Sequence, residues 1–335
     1  MLPEKIKKIL IKQHYEIVGK NEHSAVQICR WTKKSLRNEG VCYKEKFYGI
    51  KSHLCCQMTP SVMWCPNKCV HCWRAVELTI GDTLSNKNLD SPSEIIEGCI
   101  KAQKKLLQGF NIDKNSKKEQ LSKANIEKYK EAQEPMQFAI SLSGEPTLYP
   151  HIGELIKELR KRGKTSFLVT NGLYPEKIKE LLEKKQLPTQ LYVSVNTPNK
   201  ELYNKFHRSS MKDAWKKLNE TLKFLPSLKG KTRTIFRMNL VKDLNMFSEQ
   251  AKEYAQLIKK SKPLFVEIKG FMSVGFARKR LGYERMPTDK EMEAFIKVLL
   301  EKLGEKWELL DKHEFSRAYV LGKNKKELKI KSNQI

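Results

Sequence analysis

The chain has 335 residues, and 65 Lys and Arg against 38 Asp and Glu give it a formal charge of +27. A hydrophobic content of 39% is enough to bury a core, which excludes wholesale disorder. No apolar run reaches the roughly 18 residues that cross a bilayer, and the Lys-rich N-terminus lacks the apolar core of a signal peptide. We therefore expect a cytoplasmic protein without membrane contact, whose eight cysteines stay reduced. The positive charge favours a polyanionic partner, with nucleic acid ahead of membrane.

Strand and helix signals alternate along the chain. Strands are predicted just before Cys65 and over residues 136–143, 165–170, 191–196, 234–241 and 264–269. Helix starts are indicated by Ser91-Pro92-Ser93-Glu94, by Pro175 and by Thr288-x-x-Glu291, because these residue types cap or open a helix. The βαβα order predicts an α/β protein with a parallel sheet, either open or closed into a barrel.

Polar residues alternate with apolar ones in four of the predicted strands. The polar set is Ser141, Ser143, Ser194, Asn196, Arg237, Asn239, Glu267 and Lys269. Successive residues of a strand face opposite sides, so one face of the sheet is predicted to be apolar and the other polar. In a barrel the polar face would point inward, and the carboxyl ends of the strands would carry the site. The alternative is a solvent-exposed sheet face.

Three cysteines lie close together as Cys65-x3-Cys69-x2-Cys72. Thiolates at this spacing suit an iron–sulfur cluster or zinc. Zinc favours a paired fourth ligand, and the sequence has no second Cys-x2-Cys or His-x3-His pair. Three ligands would instead leave one iron of a cluster open to chelate a small molecule. A chance grouping of core cysteines is the alternative.

A second set, Cys29, Cys42 and Cys55, has twelve residues between successive members, which is not a zinc-finger spacing. These cysteines either supply three corners of a second cluster or are small buried side chains. Cys56 and Cys99 remain as structural residues, and the adjacency of Cys55 and Cys56 leaves the choice of ligand there ambiguous.

The loop from Cys65 to Cys72 resembles that of the radical S-adenosylmethionine (SAM) superfamily, with His71 in place of the usual aromatic residue. The resemblance implies a partial (β/α)6 barrel and a cluster whose open iron binds SAM and cleaves it reductively to a 5′-deoxyadenosyl radical. Further positions are similar in order to the residues that contact SAM in the superfamily: Ser143, Gly144, Glu145, Asn171, Ser194, Asn196, Arg237 and Asn239. Of these, Ser143-Gly144-Glu145 corresponds to a Gly-Gly-Glu motif whose first glycine is replaced. Taken singly, each position is also acceptable as an ordinary turn or strand end.

With the second cysteine set included, the chain resembles archaeal-type tRNA 4-demethylwyosine synthases from about residue 29 to residue 319. The matching segments are 65–74, 141–150, 169–172, 194–198 and 267–272. The resemblance implies two 4Fe-4S clusters, SAM and pyruvate. It also implies a tRNA-Phe substrate whose N1-methylguanosine, beside the anticodon, becomes the tricyclic base 4-demethylwyosine. We expect a monomer that takes electrons from an external donor.

The same resemblance divides the chain into an N-terminal extension carrying the second cysteine set (1–58), a radical SAM partial barrel (59–321) and a basic tail (322–335). Residues 111–135 are polar, with little periodicity, and predict a surface insertion. The tail is predicted to be frayed or to act as a phosphate-binding arm.

The mechanistic hypothesis assigns one step to each cysteine set. The cluster at Cys65, Cys69 and Cys72 cleaves SAM, and the radical abstracts hydrogen from the N1-methyl group. The cluster at the second set holds pyruvate, the methylene radical adds to it, C1 leaves, and an imine closes the third ring. By resemblance, Lys44 forms a Schiff base with the pyruvate ketone. A lysine two residues after a cysteine is otherwise unremarkable in so basic a chain.

Basic residues after the last predicted parallel strand are expected to rim the site and contact the tRNA by charge and stacking. They are Arg278, Lys279, Arg280 and Arg285, with Tyr283 between them, and Trp73, Arg74, Lys205, His207 and Arg208 are expected to join them. A solvated surface is the alternative for each charge.

Two other functions stay open at this point. One is a radical SAM enzyme with a different substrate, and the other is a non-catalytic iron–sulfur or zinc RNA-binding module. An iron count separates the three, since two cubane clusters hold about eight irons and one holds about four.

Overall fold

A computed structural model describes residues 2–111 and 124–334, which fall into two compact units. Unit 1 comprises Met1–Val62, Leu84–Leu168 and Lys329–Ile335, and unit 2 comprises Met63–Thr83 and Val169–Leu328. The predicted boundary between residues 58 and 59 falls inside a strand, so the ranges 1–58, 59–321 and 322–335 remain a prediction. Most of the predicted insertion, residues 112–123, lies outside the described residues.

Unit 1 contains a mixed sheet with helices packed against it. Its elements are α1 (Glu4–Lys12), β1 (Glu16–Val18), β2 (Ser24–Gln27), α2 (Arg30–Leu36), α3 (Tyr43–Tyr48), β3 (Cys55–Thr59), α4 (Pro92–Leu107), α5 (Ile126–Glu131), β4 (Gln137–Ile140), α6 (Ile152–Lys161) and β5 (Thr165–Thr170), whose last two residues are counted with unit 2. Strands β3, β4 and β5 are parallel, with Met58 opposite Ile140 and Ile140 opposite Leu168. Strands β1 and β2 extend the sheet in antiparallel pairing beside β3.

Helix α4 shows how the sequence places an element in unit 1. Ser91 and Glu94 form the capping box that the sequence predicted, with Pro92 at the first helical position. Residues such as Ile95 and Ile96 are buried, and the helix packs on β1, β2 and β3. Burial of this apolar face is what fixes the helix on the sheet.

Unit 2 repeats the strand–helix alternation. Its elements are α7 (Pro175–Glu183), β6 (Gln190–Ser194), α8 (Lys200–His207), α9 (Ala214–Phe224), β7 (Arg233–Leu240), α10 (Ser248–Ser261), β8 (Phe265–Gly270), α11 (Ala277–Leu281), α12 (Asp289–Leu303), β9 (Glu308–His313) and β10 (Ala318–Gly322). Strands β6, β7 and β8 are parallel, and β10 pairs antiparallel with both β8 and β9. Pro175 opens α7 and Thr288 caps α12, as the sequence predicted.

The α/β class and all six predicted parallel strands are confirmed, with bounds shifted by a few residues. The strand predicted before Cys65 is β3. Closure into a (β/α)6 barrel stays a prediction. The antiparallel strands β1, β2, β9 and β10 were missed, because they lie outside the βαβ alternation on which the prediction depended.

The predicted alternation of burial is clearest at the carboxyl ends of the unit 2 strands. Ser194, Arg237, Asn239 and Lys269 are half-buried, whereas their apolar neighbours are fully buried. The polar side chains therefore lie at one edge of this sheet, where parallel strands end together.

The C-terminal tail is not frayed throughout. The backbone N–H of Ile330 donates to the carbonyl of Tyr48 at 3.0 Å, and Leu328 is buried. Satisfied backbone groups hold this part of the tail in place. No helix in the described part of the chain is both long and apolar enough to cross a bilayer.

Candidate active site

The eight cysteines divide into two classes by exposure. The six predicted ligands, Cys29, Cys42, Cys55, Cys65, Cys69 and Cys72, are all half-buried. Cys56 and Cys99, which the sequence left as structural residues, are fully buried. A half-buried cysteine at a site margin can take a ligand, whereas a fully buried one behaves as a small apolar side chain.

Cys29, Cys42 and Cys55, here called the cysteine trio, come together in unit 1 from three elements. Cys29 precedes α2, Cys42 caps α3, and Cys55 is the first residue of β3. Although each side chain is partly exposed, desolvation by the surrounding protein, reinforced by the charge of Cys29, raises the pKa of the Cys42 thiol to about 12. Desolvation likewise raises the pKa of Cys55 to about 12, against the opposing charge of Lys44 and with that of Cys29. Thiols that affect one another's ionisation in this way are close neighbours and would release protons on binding a metal.

Lys44 lies with the trio in unit 1. Its side chain is only 7% exposed, and its ammonium lies 4.9 Å from the centroid of the Phe167 ring. Its backbone N–H donates to the sulfur of Cys42 at 3.5 Å, which fixes the two residues relative to each other. An amine enclosed beside three thiols is placed to react with a small carbonyl compound that reaches them.

The turn that follows Cys42 is held by Glu45 and Ser52. The backbone N–H of Cys42 donates to the Ser52 hydroxyl at 2.8 Å, and that hydroxyl donates to the Glu45 carboxylate at 2.6 Å. These bonds orient both Cys42 and Lys44. Neither Glu45 nor Ser52 was predicted as a site residue, since neither residue type is unusual in such a turn.

Residues 65–72, here called the cysteine loop, belong to unit 2. The N–H of Cys65 donates to the carbonyl of Gly81 at 2.8 Å, and the N–H of Cys72 donates to the carbonyl of Cys69 at 3.1 Å. The N–H of Asn67 points at the Cys65 sulfur at 3.4 Å. The ring of His71 stacks on Phe206 with centroids 4.9 Å apart.

Arg74 is buried against the cysteine loop with 3% exposure. One guanidinium nitrogen donates to Thr79 Oγ1 and another to the carbonyl of Asn67, both at 2.9 Å. Burial acts to lower the pKa of Arg74, but the three cysteine sulfurs outweigh it and raise that pKa overall. The fixed positive charge therefore suits an anionic, thiolate-rich centre. The predicted contact of Arg74 with tRNA is wrong, because the side chain has no free surface to offer.

Arg280 binds the other side of the cysteine loop. Its guanidinium donates to the carbonyls of Val70 at 3.1 Å and Arg74 at 3.2 Å, and to that of Cys72. It also pairs with the Glu77 carboxylate at 3.0 Å. The donors of Arg280 are engaged within the protein, which makes it a clamp on the cysteine loop. Its contact with tRNA stays a prediction.

The remaining residues of the predicted basic rim make different contacts. Arg278 stacks on Tyr283 at 4.9 Å, and Tyr283 is 61% exposed. Lys279 lies over the ring of Phe276 at 5.8 Å, while Arg285 pairs with Asp243 at 3.2 Å. Trp73 is half-buried, and its carbonyl accepts from the Phe276 N–H at 2.9 Å.

Three further residues were predicted to join the basic rim, and their contacts differ. Lys205 is exposed and pairs with Glu201. Arg208 donates from Nε to the carbonyl of Lys68. His207 is only 3% exposed, which excludes it from a surface rim.

Gly275 allows residues 273–276 to approach the cysteine loop closely. Its φ is +56°, and a Cβ atom there would lie 2.4 Å from the carbonyl oxygen of Trp73. A side chain at this position would therefore both strain the backbone and clash with Trp73, the residue that follows the cysteine loop.

The turn at Ser143-Gly144-Glu145 lies in unit 1 and is anchored by two hydroxyls. Thr59 Oγ1 donates to the carbonyl of Ser143 at 2.6 Å, and Ser61 Oγ donates to the carbonyl of Glu145 at 2.8 Å. Gly144 has a φ of +74°, which favours glycine. The Ser143 hydroxyl is buried and has no hydrogen-bond partner in the described part of the chain. A buried polar atom of this kind fits a polar ligand such as SAM.

The remaining SAM candidates lie in unit 2: Asn171 follows β5, Ser194 and Asn196 lie at the end of β6, and Arg237 and Asn239 lie in the second half of β7. Ser194 is in register with Arg237, and Arg237 lies 3.5 Å from the buried carboxylate of Glu267. The amide oxygen of Asn196 accepts from the Asn239 N–H at 2.9 Å. Asn171 accepts from the Leu173 N–H at 3.0 Å.

Asn245 is a residue of this region that the sequence analysis missed. It is fully buried, and its amide group donates to the carbonyls of Asn196 at 2.6 Å and Asn239 at 2.8 Å. Its amide oxygen accepts from the Val241 N–H at 2.6 Å. The asparagine thus orients two SAM candidates, and no sequence pattern marked it.

Within residues 2–111 and 124–334, no group of three His, Cys, Asp or Glu side chains converges on the position of a single metal ion. The thiols of the two cysteine sets have the donor chemistry of an iron–sulfur cluster, because soft thiolates favour such clusters.

Comparison with known proteins assigns two consecutive segments of the chain to known families. Residues 60–258 match the radical SAM superfamily, and residues 260–323 match the family described as wyosine base formation. An S-adenosyl-L-methionine-dependent tRNA 4-demethylwyosine synthase of Pyrococcus abyssi is 43% identical over 96% of this chain and 89% of its own length. The corresponding protein of Methanocaldococcus jannaschii is 36% identical, over 99% of this chain and 100% of its own.

A solved structure described as TYW1 with a lysine-pyruvate adduct bound is 34% identical to this chain. It superimposes with a TM-score of 0.82 and covers 99% of both chains. The superfamily carries a 4Fe-4S cluster and uses SAM, which agrees with the thiolate chemistry of the cysteine loop. The chain therefore belongs to the tRNA 4-demethylwyosine synthase family of radical SAM enzymes.

Proposed function

We propose that the chain joins pyruvate to N1-methylguanosine in tRNA-Phe to form 4-demethylwyosine. The observation that carries this proposal is the enclosed amine of Lys44 beside the three thiols of the trio in unit 1. A structurally similar protein holds a lysine–pyruvate adduct. Membership of the family makes the chain an enzyme, so the non-catalytic RNA-binding module is set aside.

The cysteines proposed to hold the first cluster belong to unit 2, and those proposed to hold the second cluster belong to unit 1. Cys65, Cys69 and Cys72 would hold the radical SAM cluster, with Arg74 balancing its negative charge. The cysteine trio would hold a second 4Fe-4S cluster. When bound, the first cluster and SAM supply the radical that starts the reaction.

The proposed SAM contacts are the set predicted from the sequence. The Ser143–Glu145 turn supports this assignment through its anchored carbonyls and its buried hydroxyl. In unit 2, Ser194, Asn196, Arg237 and Asn239 support it by lying at one sheet edge, with Asn171 following β5.

Lys44 is proposed to form a Schiff base with pyruvate. Its amine attacks the ketone carbon, water leaves, and a carbon–nitrogen double bond forms. Borohydride reduces that bond to a stable secondary amine, which can be located by peptide mass. We expect pyruvate and borohydride to label Lys44 in the wild-type chain and to leave Lys44→Arg unlabelled.

The matched control is Lys46→Arg, two residues along the same helix, where the lysine side chain is exposed. This variant should be labelled like the wild type. Labelling of Lys44→Arg at the wild-type level would show that another amine holds pyruvate.

The overall reaction is tested by turnover of N1-methylated tRNA-Phe with pyruvate, SAM and a reductant. The new base should appear at the mass of 4-demethylwyosine, and omission of pyruvate should abolish it. Uncoupled SAM cleavage without a new base would favour the alternative of a radical SAM enzyme with another substrate.

The tRNA contact is proposed at Arg278, Lys279 and Trp73, with Arg285 at its edge. The exposed ring of Tyr283, stacked on Arg278, supports it, because RNA loops are bound by stacking and phosphate contacts. We further propose a cytoplasmic enzyme, since its substrate is a tRNA and both cysteine sets need reducing conditions. A monomeric state and an external electron donor are kept as part of the same proposal.

A further inference from the structure

A buried histidine lies against one sulfur of the cysteine loop. His207 is the last residue of α8, and its Nδ1 lies 3.1 Å from the sulfur of Cys69. Both residues belong to unit 2. The contact joins positions 138 residues apart in sequence, so only the tertiary structure reveals it.

Among the described residues, the His207 ring has one polar contact and is otherwise packed against aromatic rings. The ring packs on Tyr203 with centroids 4.5 Å apart and on Phe206 at 5.3 Å. Its other nitrogen, Nε2, is buried and has no hydrogen-bond partner among residues 2–111 and 124–334. The sulfur of Cys69 is therefore the hydrogen-bonding group that the structure places at this ring.

The backbone around His207 fixes the contact. The N–H of Lys68 donates to the carbonyl of His207, and the N–H of Val70 donates to the carbonyl of Phe206, both at 2.9 Å. These carbonyls belong to the last turn of α8 and have no partner within the helix. The loop thus satisfies the end of the helix, and the two bonds flank Cys69 and hold it against the ring.

We propose that His207 is a positioning residue that donates its Nδ1–H to the thiolate of Cys69 and thereby raises the reduction potential of the cluster bound there. A cluster-bound thiolate carries no proton, so the histidine must be the donor. Hydrogen bonds to ligand sulfurs favour the reduced, more negative cluster and orient the ligand. The inference rests on the proposed assignment of Cys69 as a cluster ligand.

The experiment measures the midpoint potential of the reduced-cluster EPR signal that changes when SAM is added. His207→Phe keeps a ring without a donor, whereas His207→Asn keeps an N–H at a similar distance from the backbone. We expect His207→Phe to make reduction of the cluster about tenfold less favourable, which for one electron lowers the midpoint potential by about 59 mV. His207→Asn should stay close to the wild type.

Tyr203→Phe is the matched control, because it perturbs the packing on the same ring without removing the N–H donor. Its potential should equal that of the wild type. A potential unchanged in His207→Phe, or lowered equally in Tyr203→Phe, would overturn the inference.

A second measurement covers the case in which His207→Phe fails to assemble its cluster. In wild-type protein with ¹⁵N-labelled histidine, pulsed EPR should detect a histidine nitrogen coupled to the SAM-responsive cluster. Absence of that coupling would refute the hydrogen bond. Retention of the SAM-responsive signal in Cys69→Ala would instead refute the ligand assignment, so the two failures are distinguishable.

Discussion

The clamp formed by Arg280 makes a quantitative prediction about the cysteine loop. Arg280→Ala removes the donors to the carbonyls of Val70, Cys72 and Arg74. The Arg280 side chain is only 14% exposed, so water replaces these bonds poorly. The loop should then open more often, and a cluster on it should be lost more readily.

The size of the effect follows from the contacts. A hydrogen bond to a charged group contributes about 1.5 to 3 kcal/mol, and we take two such bonds at the low end, or about 3 kcal/mol. The pair with Glu77 adds little, because that carboxylate is 58% exposed and solvent screens it. A loss of about 3 kcal/mol raises the opening equilibrium of the loop roughly a hundredfold.

The assay is hydrogen exchange of the peptide that contains the amides of Lys68 and Val70, which donate to the end of α8. Exchange should be about a hundredfold faster in Arg280→Ala and intermediate in Arg280→Lys, which keeps the charge but not the forked donors. Arg278→Ala is the control, since its Nε donates to the carbonyl of Ser273 and not to the cysteine loop. Exchange in Arg280→Ala within about threefold of the wild type would refute the clamp.

Three further predictions concern the cofactor, the substrate and the fold. Cys42→Ala should lower the iron content of anaerobically prepared protein from about eight to about four per chain, whereas Cys56→Ala, a buried structural cysteine, should keep it; equal losses would contradict the trio. Replacing Arg278 and Lys279 together by Ala should reduce the salt dependence of tRNA binding by roughly one to two counterions, and an unchanged slope would remove them from the contact. Hydrogen bonds from the side chain of Lys242 and from the helix cap at Thr288 lower the pKa of Glu291 from 4.5 to about 2. A carboxyl group whose pKa is lowered by folding stabilises the fold at pH values above its ordinary pKa of 4.5. That stability is lost as the pH falls through about 2. The Tm of Glu291→Gln should therefore fall less than that of the wild type between pH 4.5 and 2, and parallel curves would contradict the assignment.

Local sequence determined the elements and the chemistry of the site. The capping boxes at Ser91 and Thr288, and Pro175 at a helix start, appear as predicted because each acts within one turn of helix. The parallel strands were predictable because short segments of alternating or continuous apolar residues between helix signals are typical of strands. The six proposed ligands are half-buried, whereas Cys56 and Cys99 are fully buried. This is the same division of the cysteines that their spacing in the sequence predicted.

What the basic and polar side chains do was decided by tertiary structure. A sequence shows that Arg74, Arg280 and His207 are polar, and charge alone favoured a nucleic-acid contact for each. In the folded chain all three face the cysteine loop, two of them from more than 130 residues away in sequence. The energy of a hydrogen bond depends on a partner's position to within a few tenths of an ångström, and no local pattern encodes a partner that distant. For the same reason Asn245, which orients Asn196 and Asn239, was visible only once the strands had been assembled.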